Sequence, residues 1–365
     1  MHIEASLIDP LTARLVPRPL ASGAPGVRAA TSLRIGLLVP QSGPMGILGP
    51  SAVDAALLAA HEYNLVGGVR GRQVELVLVD SGRRPASVAT EVLALAAEGA
   101  VDALVGFHTS DVHQQVLRAL ADPALPRRID YVFTPPHEGG RLRFGEHRLG
   151  PGPARQLGAA LPWVIRRHRT RRWALVGTDY VWPQAVHRVA RPLLHRAGVD
   201  VVLDLLVPVG QVPQHCARIA DLLRQSRADA VLLSVVGSDL AAVNLALRRE
   251  GLHRRLVRLS FALEENALMA CDGDDTGLLY AAMPSFTTLT DDRSLARVES
   301  HRALFGPHAP VLDTYSHSLY EGIRSVCDAL AAPAPAPVPA PAPAPAPVHL
   351  ARAQGLQFEV VHTCR

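Results

Sequence analysis

Between Leu33 and Arg72 the chain reads LRIGLLVPQSGPMGILGPSAVDAALLAAHEYNLVGGVRGR, a short apolar strand, a Gly/Pro loop and a long apolar-periodic helix in immediate succession. A strand made of consecutive apolar residues must be covered on both faces, which is the condition of a parallel sheet flanked by helices. In such a sheet the loop leaving the carboxyl end of a strand faces the crevice where ligands bind. Gln41-Ser42-Gly43-Pro44 is that loop here.

The same unit recurs along the chain. Strand patterns at 73–80 and 103–107 and helical patterns at 85–98 and about 109–121 follow, then a short strand at 130–133. After the cluster Gly150-Pro151-Gly152-Pro153 the alternation restarts: helices over 154–167, 183–197, 213–226 and 239–250, strands over 172–176, 201–207, 230–236 and 257–260. Residues 277–285 are strand-like, and 292–305 and 313–331 read as helices. At 365 residues the chain exceeds what one hydrophobic core supports, so the pattern predicts α/β architecture in two lobes.

Two segments fall outside this rhythm. Residues 1–32 interrupt every apolar run with Glu4, Asp9, Pro10, Arg14 or Pro17 and read as a disordered leader without the roughly 7–15-residue apolar core of an export signal. The expectation is a cytoplasmic protein, with export or a periplasmic location as the alternative if the start codon is misassigned. Residues 332–348 form a Pro/Ala spacer, in which alternate prolines remove backbone donors and favour extended polyproline geometry. Beyond it, 355–361 alternates well enough for one more strand.

Composition excludes more than it suggests. All 37 residues of the Lys+Arg count are arginines, and the net charge is +4. Clusters such as Arg166-Arg167-His168-Arg169 sit at a helix-to-strand junction and read as solvated charge, so no direct nucleic-acid binding is expected. Cys216, Cys271, Cys327 and Cys364 are scattered without metal-ligand spacing. The loop GPMGILGP is not a dinucleotide fingerprint, and its prolines remove phosphate-cradling donors. No nucleophile elbow, zinc-protease helix or phosphate loop occurs, so neither catalysis nor a cofactor is expected.

Four stretches carry a family resemblance: VPQSGPMGILGPSAVDAALLAAHEYNLVGGVRGRQVELVLVDSG, LVGFHTSDVHQQV, FTPPHEG and VGTDYVWPQAV. In this order, across residues 33–330, they resemble type 1 periplasmic-binding-protein-like receptors of the branched-chain amino acid, urea and short-amide branch. Within it the chain is most similar to amide-sensing negative regulators of aliphatic amidase operons and to urea-transporter binding proteins. The resemblance implies two Rossmann-like lobes joined by a three-crossing hinge: 33–150 with 283–331, and 151–282 with 349–365.

Candidate ligand contacts follow from the ends of strands. Ser42 and Gly43 lie in the first loop. Ser110 starts a helix, where its hydroxyl and the open backbone N–H groups suit a carbonyl or carboxylate, although a plain helix cap looks the same. His108 and Phe133 sit at neighbouring strand ends, and Pro136 and His137 in the loop that follows. Tyr180 and Trp182 bring two rings into six residues of a chain only 4% aromatic, which suits a cleft wall. Gly237, Glu264 and Glu265 occupy corresponding strand ends, the acids being suited to an ammonium or amide N–H, or simply to a helix start.

The resemblance implies a non-enzymatic sensor of a short amide, urea or amino acid. Its implied partner is an RNA-binding antitermination regulator, and a homo-oligomer is left open. The alternatives are the solute-binding component of an ABC-type transporter, partnered by a membrane permease, and an enzyme acting on small amides.

Overall fold

A computed structural model of the protein describes residues 32–143, 145–332 and 347–364. Most of the leader and of the Pro/Ala tract, expected at 1–32 and 332–348, lies outside the described residues.

Strand β1 (Ser32–Val39) is an interior strand of the first sheet, and its residues are buried on both faces. It pairs in parallel with β2 (Gln73–Asp80) on one side and β3 (Ala103–Gly106) on the other, with Ile35 opposite Leu76 and Ala103. β4 (Asp130–Phe133) and β5 (Glu146–Arg148) extend the sheet to the order β2-β1-β3-β4-β5, all parallel. Each fully buried Leu or Ile of β1 contributes roughly 1.5–3 kcal/mol by leaving water.

Helix α1 (Gly49–Leu65) starts with Pro50 in its first turn, where a missing N–H costs nothing. Seven of its central residues, Ala52, Ala55, Ala56, Leu57, Leu58, Ala59 and Ala60, are buried, and five of the seven are alanine. Small side chains on several faces let α1 lie between the sheet and a second helix. The opposite face of the sheet is covered by α2 (Pro85–Ala97) and α3 (Ser110–Leu120), whose Val88, Val92, Val112 and Val116 form a separate apolar cluster with Leu38 and Leu104.

The chain then enters the second sheet. α4 (Pro153–His168), β6 (Arg172–Thr178), α5 (Val181–Arg196), β7 (Asp200–Val207), α6 (Val212–Gln225), β8 (Ala230–Ser234), α7 (Gly237–Arg249), β9 (Val257–Ser260), α8 (Glu265–Ala270) and β10 (Leu279–Met283) follow in order. α9 (Asp292–Phe305) and α10 (Thr314–Ala331) return to the first sheet, where α10 packs on α1 and β3. β11 (Val348–Gln354) and β12 (Gln357–Cys364) close the second sheet in the order β12-β11-β10-β9-β8-β6-β7. The fold is therefore α/β with two Rossmann-like lobes.

Three details differ from the sequence expectation. The single strand expected over 355–361 is a hairpin, because Gly355 adopts φ +61° and with Leu356 forms a two-residue turn that returns the chain antiparallel to itself. β5 is three residues, Glu-His-Arg, too short and polar for an apolar pattern. α8 is only six residues, too short to show a helical period, and lies where the sequence pattern assigns no element.

One ion pair lies inside the second lobe. Arg258 of β9 and Asp274 are 1% and 3% exposed, with Nη2 donating to Oδ2 at 2.8 Å. Asn244 and Thr276 oxygens and the His253 carbonyl accept from the same guanidinium at 3.1–3.2 Å. Among the described residues all four cysteines are free, no group of side chains could hold a metal, and no helix is long and apolar enough to cross a membrane.

Candidate functional site

The carboxyl ends of both sheets face one another across a cavity of about 210 Å³. Loops after β1, β2 and β3 supply Ser42, Met45, Arg84, His108 and Asp111 from one side; Thr178, Tyr180, Val209, Val236 and Asp239 come from the ends of β6, β7 and β8 on the other. A smaller recess of about 20 Å³ shares Met45, His108 and Tyr180 and adds Ser110, Pro136, Trp182 and Tyr315.

Asp80, at the end of β2, holds the first wall in place. Its carboxylate accepts from Gln41 N at 2.8 Å, Ser42 Oγ at 2.8 Å and Gly82 N at 2.9 Å. Burial pulls its pKa up, but these bonds outweigh burial and hold it below the usual value. The Ser42 hydroxyl is thus committed within its own lobe.

His108 forms the floor between the two spaces. Burial pushes its pKa down to about 3, so the ring is neutral. The carbonyl of Thr109, 3.1 Å from Nδ1, can only accept, which places the ring proton on Nδ1 and leaves Nε2 to accept from the Tyr131 hydroxyl at 2.7 Å. Both nitrogens are engaged, and what His108 offers the cavity is its carbon edge.

The recess gathers donors that lack acceptors. Trp182 Nε1 is buried and has no partner among the described residues. Thr109 caps α3 without a side-chain bond, so the first N–H groups of that helix, at Ser110 and Asp111, are open. Burial, reinforced by Asp111, Glu138 and Asp239, holds the Tyr180 hydroxyl well above its ordinary pKa and keeps it protonated. An indole N–H, a serine hydroxyl and a helix start converging on one small space are arranged to receive an oxygen acceptor.

The lobes touch beside the cavity. Ser238 N donates to the Pro44 carbonyl at 2.8 Å across the cleft. Gly237, at φ +54°, lies so close that a Cβ built on it stands 2.1 Å from the same oxygen. Only glycine has both the backbone freedom and the missing side chain for this approach.

The structure therefore brings Ser42, His108, Ser110, Pro136, Tyr180 and Trp182 to the cavity or its recess. It places six other candidates elsewhere. Gly43 is a turn residue whose carbonyl accepts from Gly46 N, and Gly237 meets backbone of the opposite lobe. Phe133 is fully buried, stacked on His113 at 4.0 Å. His137 accepts from Gly139 N at 2.9 Å and orders its own loop. Glu264 caps α8, accepting from Asn266 N at 2.5 Å and Ala267 N at 2.6 Å, while Glu265 Oε1 accepts from Thr287 N and Oγ1 at 2.7 and 3.1 Å. The acidic pair thus serves helix-start and loop contacts. Thr109, Met45, Val236, Asp239 and Tyr315 are cavity residues the sequence reading did not name. Asp239 stands five residues past the end of β8, the same kind of strand-end position as Tyr180; Tyr315, from a distant helix, carries no local signal.

Burial pushes the Glu265 carboxyl from 4.5 up to about 7, and its Oε2 has no partner among the described residues. A folded-state pKa raised in this way contributes stability below about pH 4.5 that is lost as pH rises through about 7, because the folded protein then has to ionise a buried acid. The loss amounts to as much as roughly 3 kcal/mol. Glu265→Gln is expected to flatten the fall in Tm between pH 5 and pH 8, measured by circular dichroism melts; parallel profiles for the two proteins would refute this assignment.

Comparison with known proteins places this geometry. Residues 32–345 match the sequence model of the periplasmic binding protein family. A Leu/Ile/Val-binding protein of Rhizobium johnstonii is 27% identical over 199 residues, a match covering 54% of this chain and 53% of that relative, just over half its length. An amino acid ABC transporter substrate-binding protein from Pseudomonas fluorescens superposes with a TM-score of 0.77 at 14% identity, over 92% of this chain and 96% of the other. The closed form of a Leu-, Ile-, Val-, Thr- and Ala-binding protein from Brucella ovis gives 0.73 at 17% identity, over 92% and 95%. The family is one of binding proteins rather than enzymes. With a family match across most of its length and both lobes in the matching fold, the chain belongs to the periplasmic binding protein family.

Proposed function

We propose that this protein is the solute-binding component of an ABC-type importer, working outside the cytoplasmic membrane and delivering a small amino-acid-like solute to a membrane permease. The observation that carries the reading is the cavity, built from the carboxyl edges of both sheets, closed at the Ser238–Pro44 contact and adjoined by a recess where the Trp182 indole N–H has no partner among the described residues. A ligand touching both lobes favours the closed state by its differential affinity, and a permease can read that closure as a change of surface. The Pseudomonas fluorescens protein named above is an amino acid ABC transporter substrate-binding protein and the other two bind amino acids, which supports transport over the cytoplasmic sensor with an RNA-binding antitermination partner.

Purified protein is expected to show a rise in Tm of several degrees with one class among leucine, isoleucine, valine, acetamide, urea and benzoate, since binding to the native state stabilises it by mass action. The same solute is expected to change tryptophan fluorescence in the native protein and to leave Trp182→Phe silent. In cells that make it naturally, the protein should fractionate outside the cytoplasm. No binding in the panel would overturn the solute-binding reading, and recovery only with the cytoplasm would return the sensor.

A further inference from the structure

The second sheet carries a cavity at its other edge. A space of about 540 Å³ lies at the amino ends of β6, β8 and β9, opposite the solute cavity, with the buried Leu223, Leu252 and Leu256 along its apolar side. Four arginines stand around it: Arg169, Arg224, Arg227 and Arg255. Arg224 is answered by Asp221 and Glu250 at 2.6 and 2.5 Å. Among the described residues nothing pairs with the other three guanidiniums. Asp229, the acid on the lining, accepts at Oδ2 from the N–H groups of Arg171 and Arg172 at 2.8 and 2.9 Å, and the His168 ring is engaged by the Tyr280 hydroxyl at 2.8 Å. Cations beside helix ends are ordinarily explained by the dipole, and Arg169 and Arg227 do follow α4 and α6. The dipole explains neither their backbone nor their convergence. Both are left-handed, at φ +53° and +52°, where glycine or asparagine ends a helix at less cost, and Arg255 comes from the turn before β9. The carbonyls just past α6, at Ser226 and Arg227, are already taken by the Arg172 guanidinium at 2.8 and 3.1 Å.

We infer that this cavity is a second binding site, separate from the solute cleft, for a compact phosphate-bearing anion held by Arg169, Arg227 and Arg255. Three unanswered guanidiniums around one concave space repel one another, and an anion among them relieves that repulsion. A guanidinium fork fits two oxygens of one phosphate. Three cations also call for more than a single negative charge, which a phosphate concentrates on one group and a carboxylate does not. Among the described residues no Phe, Tyr or Trp lines the cavity, and its cations are gathered in one place rather than along a track. A nucleic-acid strand, which needs stacking surfaces and an extended basic groove, is not what it fits. Phosphate of this kind is carried by soluble phosphorylated molecules and by the headgroups of an anionic membrane surface.

Calorimetric titration of the full chain with inorganic pyrophosphate at low ionic strength, together with sedimentation on phosphatidylglycerol and on phosphatidylcholine vesicles, tests this. The variant combining Arg169→Ala, Arg227→Ala and Arg255→Ala is expected to bind the anion roughly 10-fold or more weakly, since charge-assisted bonds are lost. A control combining Arg118→Ala, Arg188→Ala and Arg218→Ala removes the same charge from exposed positions elsewhere and should bind as the native protein does. Should the first variant fail to fold, Arg255→Ala alone, in a turn, is expected to show a loss of roughly 10-fold. Pyrophosphate binding without retention on vesicles upholds the site and assigns it to a soluble molecule. Retention on phosphatidylglycerol but not phosphatidylcholine, lost in the first variant and kept in the control, upholds it and assigns it to lipid headgroups. No binding of pyrophosphate or of phosphatidylglycerol vesicles overturns the inference. Equal losses in the variant and the control overturn it too, because they reduce the effect to overall charge.

Discussion

Gly237→Val is expected to weaken solute binding by about 100-fold or more while leaving both lobes folded. The backbone at Gly237 has φ +54°, and its Cβ would stand 2.1 Å from the Pro44 carbonyl of the opposite lobe. Backbone cannot yield to that overlap as a flexible side chain could, so the lobes must separate, and the Ser238 N–H to Pro44 bond goes with them. A cost on closure of roughly 3 kcal/mol corresponds to the stated factor. The positive φ adds roughly 1–2 kcal/mol of strain in either state. Gly198→Val separates the two effects, because Gly198 has φ +68° but a Cβ there meets nothing within 4 Å. The control is expected to melt at a lower temperature and bind normally. Small-angle scattering should show native protein contracting on saturation and Gly237→Val failing to contract. Normal affinity in Gly237→Val would show that this contact is not part of the ligand-bound state.

The second large effect is on stability. Arg258→Ala is expected to destabilise the protein by about 3–5 kcal/mol, because it strands the Asp274 carboxylate at 3% exposure without its cation. At roughly 2–4 °C per kcal/mol, the Tm should fall by about 6–20 °C. The damage reaches past the pair. Asp274 exchanges backbone hydrogen bonds with Gly355 at 2.9 and 3.1 Å, tying the turn between β11 and β12 to the lobe. Amide exchange in the hairpin should therefore accelerate more than in the first sheet. Arg258→Met combined with Asp274→Asn should recover much of the loss, since the buried charge is then gone and Asn keeps an oxygen for Thr276 N. A double variant no more stable than Arg258→Ala would show that the guanidinium's other bonds, to Asn244, Thr276 and His253, carry the energy.

The legible parts of the chain are those where burial leaves a local trace. β1 and α1 were readable because a strand covered on both faces is an unbroken apolar run and a sandwiched helix is rich in alanine. β5 was not, since three polar residues at a sheet edge need only their backbone to pair. Among the candidate contacts, Ser42, His108, Ser110, Pro136, Tyr180 and Trp182 reached the cavity or its recess because all stand just beyond strand ends, which a parallel sheet places along one edge. Glu264 and Glu265 stand at such an end as well, yet α8 begins at once, and its N–H groups take up both Glu264 oxygens while Thr287 takes up one of Glu265.

From residues alone come the α/β alternation, the two lobes and the edge on which a site must lie, because hydrophobic period and strand ends are properties of neighbouring residues. Which of those strand-end groups remain open to a solute was decided only in three dimensions. His108 is occupied by Tyr131 and Thr109, and Gly237 by Pro44 from the other lobe; among the described residues the Trp182 indole finds no partner. A hydrogen-bond partner far along the chain leaves no mark on the local sequence, so which strand-end groups are already occupied can be read only from the fold.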